Sequence, residues 1–231
     1  MRRGRKSLDA CRMRLYQVKW GDGMQDAELR ETYIDGQSIY RGAIIDVEKW
    51  RVTLPDGREA IREVVLHKGA AAIVPVDALG YVTLVRQHRV VIGQFTWEIP
   101  AGKLDYVGED PLSCAKRELE EETGLQARSW QQLSQVITTP GFCTEQIAIY
   151  LATDLSQHEI HRDADEFLRL KKMPLSEAVL GVMNGEFQDA KTCLGLLMAH
   201  KALEESARMP FGDGLQPFRR TARYPGADAQ G

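Results

Sequence analysis

One stretch, 102–125 (GKLDYVGEDPLSCAKRELEEETGL), limits what this chain can fold into more than any other. Asp110 is an N-cap acceptor, Pro111 suits the first helical position and Gly124 is a natural C-terminal cap, so the spacing predicts a helix over 111–123. Steps of three and four put Leu112, Ala115 and Leu119 on one face and Glu118, Glu121 and Glu122 on another. Like charges at that spacing cost a helix roughly 0.2–0.5 kcal/mol per pair, and Arg117, which can reach Glu121, offsets only part of this. A cation is therefore expected over the acidic face. Clustered carboxylates suit a hard, oxygen-seeking ion, Mg²⁺ in particular, which takes a few carboxylates and leaves its other positions to water and substrate phosphates. The alternative is a solvated acidic surface, the commoner setting for a charge run.

The full arrangement is more specific than the run. Glu109 lies eight residues before Arg117, and Arg117-Glu118-Leu119-Glu120-Glu121-Glu122-Thr123-Gly124-Leu125 follows without a break. This resembles the Nudix box, the signature of hydrolases acting on nucleoside diphosphates linked to another moiety. Every position over 109–125 fits that pattern. In one departure, six residues separate Gly102 from Glu109 where the family has five. The extra residue falls within Asp105-Tyr106-Val107-Gly108, ahead of the helix, and leaves the helix register untouched.

At 231 residues the chain fits one domain with tails. A net charge of −3 gives no general drive toward nucleic acid, and no membrane partner is expected, so the partners expected are small molecules. Cys11, Cys114, Cys143 and Cys193 are scattered, with no CxxC pair and no zinc-spaced histidines, and read as free thiols in a reducing cytoplasm. There is no apolar run of about 18 residues, and the basic start over 1–6 lacks the apolar stretch of a signal peptide. That start reads as a tail, with Met13 or Met24 as alternative beginnings.

In chain order, the β-like runs over 39–66 flank Pro55-Asp56-Gly57, which predicts a hairpin. Strands are expected over 70–76, 81–85, 133–138, 146–152 and 167–171, with a polar surface loop over 156–166. A short helix over 176–182 ends at Asn184-Gly185, and a long one over 190–207 is expected to turn Leu194, Leu197 and Met198 inward. The divisions expected are a basic tail and lead-in over 1–36, a dimer-forming β region over 37–68, a catalytic domain over 69–208 and a tail over 209–231.

Over 37–203 the chain is similar to the ADP-ribose pyrophosphatase branch of the Nudix superfamily. Besides the box, Arg62-Glu63-Val64-Val65, Trp97-Glu98-Ile99-Pro100-Ala101-Gly102 and Pro140-Gly141-Phe142, with Pro140 sixteen residues beyond Gly124, carry the resemblance. It implies an α/β fold: an α/β/α sandwich with a mixed β-sheet and an N-terminal β-hairpin extension. It also implies a homodimer packed through the N-terminal strands. For the site it implies Mg²⁺, with Mn²⁺ as the alternative, held by Glu118, Glu121, Glu122 and the carbonyl of Ala101. Substrate contacts fall to Arg62, Arg89, Glu98, Pro140 and Phe142, a structural role to Glu109, and the general base to Glu166 with Glu159 as second choice. The activity implied is hydrolysis of ADP-ribose to AMP and ribose 5-phosphate. Hydrolysis of another nucleoside diphosphate sugar, GDP-mannose or ADP-glucose, is the second reading, and a catalytically silent ligand-binding regulator the third.

Overall fold

The continuous apolar run at 70–76 forms a strand buried on both faces. In the computed structural model, which describes residues 24–158 and 167–208, this is β4 (Ala70–Pro75), at the centre of a mixed sheet. It pairs in parallel with β9 (Gln146–Gln157) and antiparallel with the short β7 (Ala101–Lys103), while β8 (Leu125–Ile137) lies antiparallel on the far side of β9. Alternate residues then serve two cores. Ala72, Val74, Ile149 and Leu151 pack with Leu175 and Ala178 of α2 (Leu175–Met183) and with Leu196 and Ala199 of α3 (Ala190–Arg208). Ala71, Ile73, Ala148 and Tyr150 face the opposite way, against Cys114, Ala115 and Leu119 of α1 (Pro111–Thr123). This is the expected α/β/α sandwich with a mixed sheet.

A second sheet has the order β10 (Arg169–Pro174), β5 (Tyr81–Arg89), β6 (Gln94–Glu98). The N-terminal extension is a third, in which β2 (Ile45–Thr53) and β3 (Glu59–His67) form the hairpin and Gly57 takes φ 85° in its turn. The expected hairpin gains a further strand, β1 (Thr32–Arg41), preceded by a 3-10 turn at Met24–Leu29. Apart from Tyr33, the side chains of β1 are exposed, so its sequence lacks the alternation that marks a half-buried strand. No helix among the described residues is long and apolar enough to cross a membrane.

Three expectations need correction. β8 begins at Leu125 and β9 runs to Gln157, through segments whose polar residues gave no strand signal: here strand pairing, from Leu125 with Gln157 onward, overrides composition. β6 and β7 are too short to show a period. On α3, Leu194 and Leu197 are 36% and 37% exposed, and the buried face is Thr192, Gly195, Leu196 and Ala199. Gly195 decides this, because a Cβ there would stand 2.9 Å from Ile99 and 3.1 Å from Val74, so the helix approaches the sheet on its smallest side chain.

Candidate active site

Helix α1 starts and stops as its caps dictate. The Asp110 carboxylate accepts from Ser113 N–H at 3.0 Å, and Gly124 takes φ 68° and donates its N–H to Glu120 O at 2.8 Å. With Leu119 and Ala115 fully buried against the sheet, Glu118 and Glu122 are carried under β7, only 7% and 3% exposed. The carboxylate of Glu118 lies on the backbone of Gly102, where a Cβ would come within 1.9 Å of it. Glu122 accepts from Ala101 N–H at 3.1 Å. Arg117 is the positive charge over this face, 2.8 Å from Glu118, 3.1 Å from Glu121, 3.7 Å from Asp105 and 3.9 Å from Glu109. Burial opposes its charge, but the carboxylates of Glu118, Asp105 and Glu121 raise its pKa above the ordinary range.

The extra loop residue is absorbed without disturbing this face. Gly108 takes φ 94°, and Glu109 folds back to accept from Asp105 N–H at 2.6 Å while staying beside Arg117. Glu109 therefore holds the loop against the helix, the structural role expected of it. Beneath the face, Cys114 is fully buried, and its thiol is pushed up to about 12, first by burial and then by the charge of Glu118. The folded protein should protect Cys114 from iodoacetamide at pH 8, because the thiolate is the attacking species. Mass spectrometry checks this, and labelling of Cys114 as fast as in urea would contradict it.

A second charged cluster adjoins the first. Glu98, 2% exposed, takes Arg89 in bidentate fashion at 2.7 and 2.6 Å, the Thr96 hydroxyl at 2.6 Å and Lys191 Nζ at 2.5 Å. Lys191 also lies 3.0 Å from Asp189, whose carboxylate accepts from the N–H and hydroxyl of Thr192 at the start of α3. Thr192 Oγ1 in turn accepts from Ile99 N–H at 3.0 Å. Hydrogen bonding to Glu98 raises the pKa of Arg89, and the charges of Asp189 and Glu122 add to this, so Glu122 lies within electrostatic reach of the cluster.

Burial alone would push the Glu98 carboxyl up, but Arg89 and Lys191 outweigh it and hold it at about 2, against an ordinary 4.5. A depressed carboxyl contributes stability that is complete above the unfolded value and is lost as pH falls through the folded one. For Glu98 that window runs from 4.5 down to about 2. The amount is on the order of 3 kcal/mol. Urea midpoints measured from pH 6 to pH 3 should fall less steeply for Glu98→Gln than for the wild type, and parallel curves would contradict this.

With these two clusters in place, comparison with known proteins is informative. The model of the NUDIX domain matches residues 66–192, which take in the whole of α1, Glu98 and the start of α3. The chain belongs to the Nudix family. This Nudix hydrolase is 40% identical over 171 residues to an ADP-ribose pyrophosphatase of Mycobacterium tuberculosis, covering 72% of this chain and 82% of that one. It is 39% identical to an ADP-ribose pyrophosphatase of Bacillus subtilis, covering 73% and 91%. A GDP-mannose pyrophosphatase of Cronobacter sakazakii is 34% identical, with coverage of 61% and 81%. Among solved structures, an ADP compounds hydrolase superposes with a TM-score of 0.68 at 22% identity, covering 78% of this chain and 97% of that one, a likeness of fold.

Nudix hydrolases use divalent metal ions, and the acidic face has the chemistry for one. Its side-chain donors are all carboxylate oxygens, and the missing Cβ of Gly102 leaves the hollow in which Glu118 lies. The carboxylates are not gathered into a cage: among the described residues no three His, Cys, Asp or Glu side chains stand at metal-ligand spacing, and Arg117 lies between Glu118 and Glu121. The donor set fits a hard cation.

Of the other expected residues, Glu98 and Arg89 are joined to each other, and Arg62 is paired with Glu31 through Nε at 3.0 Å. Arg62 has no hydrogen bond to either cluster among the described residues. Pro140 and Phe142 lie in a turn stitched to β3, where Val65 N–H donates to Phe142 O at 2.7 Å and Thr144 N–H to Val65 O at 3.0 Å. The Phe142 ring is exposed. Glu159 and Glu166 lie outside the described residues. Sequence reasoning passed over Lys191, Asp189 and Thr192. Their one local signal was an Asp three residues before Thr at a helix start, which marks a cap and says nothing of Glu98.

Proposed function

We propose that this Nudix hydrolase cleaves the diphosphate bond of ADP-ribose, releasing AMP and ribose 5-phosphate, with Mg²⁺ as its cation and Mn²⁺ as the alternative. The observation that carries the reading is the complete acidic face of α1, with Glu118 seated on Gly102 and Glu122 tied to Ala101, in a chain whose relatives include ADP-ribose pyrophosphatases. A silent regulator would have no need of three like charges on one helix face.

Glu118, Glu121, Glu122 and the carbonyl of Ala101 would hold the cation. When bound, it supplies positive charge against the diphosphate oxygens and makes a water acidic enough to lose its proton near neutral pH. Glu166, with Glu159 as second choice, would act as the general base for the attacking water. Arg89 and Arg62 offer planar guanidinium donors to diphosphate or ribose oxygens, with Glu98 fixing the first of them. Pro140, with its fixed φ, and Phe142 border the substrate. Glu166→Gln should slow turnover by about 10²-fold while leaving metal affinity nearly unchanged. Steady-state rates with calorimetric metal titration check this, and damage from Glu159→Gln in its place would move the base there.

A homodimer packed through the N-terminal strands goes with this reading. The exposed Ile34, Ile39, Tyr40 and Ile61 of that sheet support it, and sedimentation equilibrium tests it. A cytoplasmic location goes with it too, supported by the free Cys114, Cys143 and Cys193. The deciding experiment is a panel of ADP-ribose, ADP-glucose, GDP-mannose and nucleoside triphosphates assayed with Mg²⁺, in which ADP-ribose should have the highest kcat/KM. The GDP-mannose pyrophosphatase relative supports a second reading, and a preference for GDP-mannose of about tenfold, 1.4 kcal/mol in transition-state binding, would establish it.

A further inference from the structure

Lys191 is set deeper than Arg89, with side chains 12% and 43% exposed. Both bond the one buried carboxylate of Glu98. Its Oε1 takes Arg89 Nε and the Thr96 hydroxyl, and its Oε2 takes Arg89 Nη2 and Lys191 Nζ, so four donors define its orientation. Lys191 is itself held from a second side by Asp189, which also accepts from the N–H of Thr192 at 3.0 Å and so caps the first turn of a 19-residue helix. Two carboxylates therefore keep the ammonium in place and away from solvent. Arg89 is the more exposed of the two cations, and its Nη1 has no hydrogen-bond partner among the described residues.

We propose that Lys191 is a positioning residue for diphosphate recognition: by locking Glu98 from behind, it holds the Arg89 guanidinium in one plane with its Nη1 edge presented to a phosphate oxygen. This rests on the reading above, in which Arg89 meets the diphosphate. A bidentate pair without Lys191 could rotate as a unit about the Glu98 side chain, and the donor edge would turn with it. The lysine contributes no contact of its own to the ligand. Its effect is carried wholly by Arg89.

A double-mutant cycle tests this on the full-length protein, with ADP as the probe, excess chelator present and binding read by calorimetry. Lys191→Met should weaken ADP binding by about tenfold, Arg89→Ala by more, and the double variant no further than Arg89→Ala alone. Lys191→Arg should restore binding to within about threefold of wild type, since a guanidinium can bond the same two carboxylates. In the hydrolysis of ADP-ribose, KM should rise more than kcat falls. If Lys191→Met does not fold, Lys191→Gln takes its place in the cycle. Binding unchanged in Lys191→Met, or a further loss of the same size in the Arg89→Ala background, would overturn the inference while leaving the function standing. A wild-type protein that binds neither ADP nor ADP-ribose would overturn both.

Discussion

Glu122→Gln should remove nearly all activity and leave the fold intact. The glutamine oxygen can still accept from Ala101 N–H, so the tie between α1 and β7 survives the change. What is lost is one of the three negative charges proposed to hold the cation, on a side chain only 3% exposed, where water cannot readily replace it. AMP release from ADP-ribose should fall by about 10²- to 10³-fold, the scale on which removal of one fixed electrostatic partner of a reacting group acts. Stability should hold or rise slightly, because the change relieves repulsion with Glu118 four residues away. Activity within tenfold of wild type at saturating Mg²⁺, or full wild-type activity in excess chelator, would remove the metal role from this face.

Gly102→Ala should have an effect nearly as large, although it adds only a methyl group. Its Cβ would stand 1.9 Å from Cδ and Oε1 of Glu118, a separation no structure tolerates. The atoms in the way are the far end of a flexible side chain, so the carboxylate swings aside and the backbone of β7 stays paired with β4. The displaced Glu118 leaves both its hollow and its 2.8 Å contact with Arg117. Turnover should drop by about 10²-fold, while the melting temperature moves by no more than about 4 °C. Thermal denaturation alongside the assay separates the two effects. An active Gly102→Ala variant would mean that the position of Glu118 is not what the reaction needs.

The two substitutions differ in how readable their sites were. Glu122 was legible because everything that places it is local: Asp110 and Gly124 set the limits of the helix, and a period of 3.6 puts Glu118, Glu121 and Glu122 on one face. Arg117 was likewise legible as the neutralising partner, since a residue four positions before Glu121 can be its neighbour whatever surrounds the helix. The hairpin turn at Gly57, the buried strand at Ala70–Pro75 and the end of α2 at Asn184 and Gly185 follow from equally short-range chemistry. The collision at Gly102 was not legible, because it depends on how closely β7 passes Glu118 of α1, sixteen residues further along the chain.

The sequence by itself determined the capped helix over 111–123, its acidic face, the apolar strand over 70–76 and the family. Only the tertiary structure decided that α3 meets the sheet through Gly195 with Leu194 and Leu197 turned outward, since the fit against Ile99 and Val74 outweighed the pull of two larger apolar side chains. It alone also brought Lys191 onto Glu98, across 93 residues of chain, and gave Arg89 a carboxylate partner, Glu98 itself. The physical reason is range: caps, turns and helical period act over a few residues, whereas a buried ion pair exists only where folding has brought distant segments together and excluded the water that would otherwise weaken it.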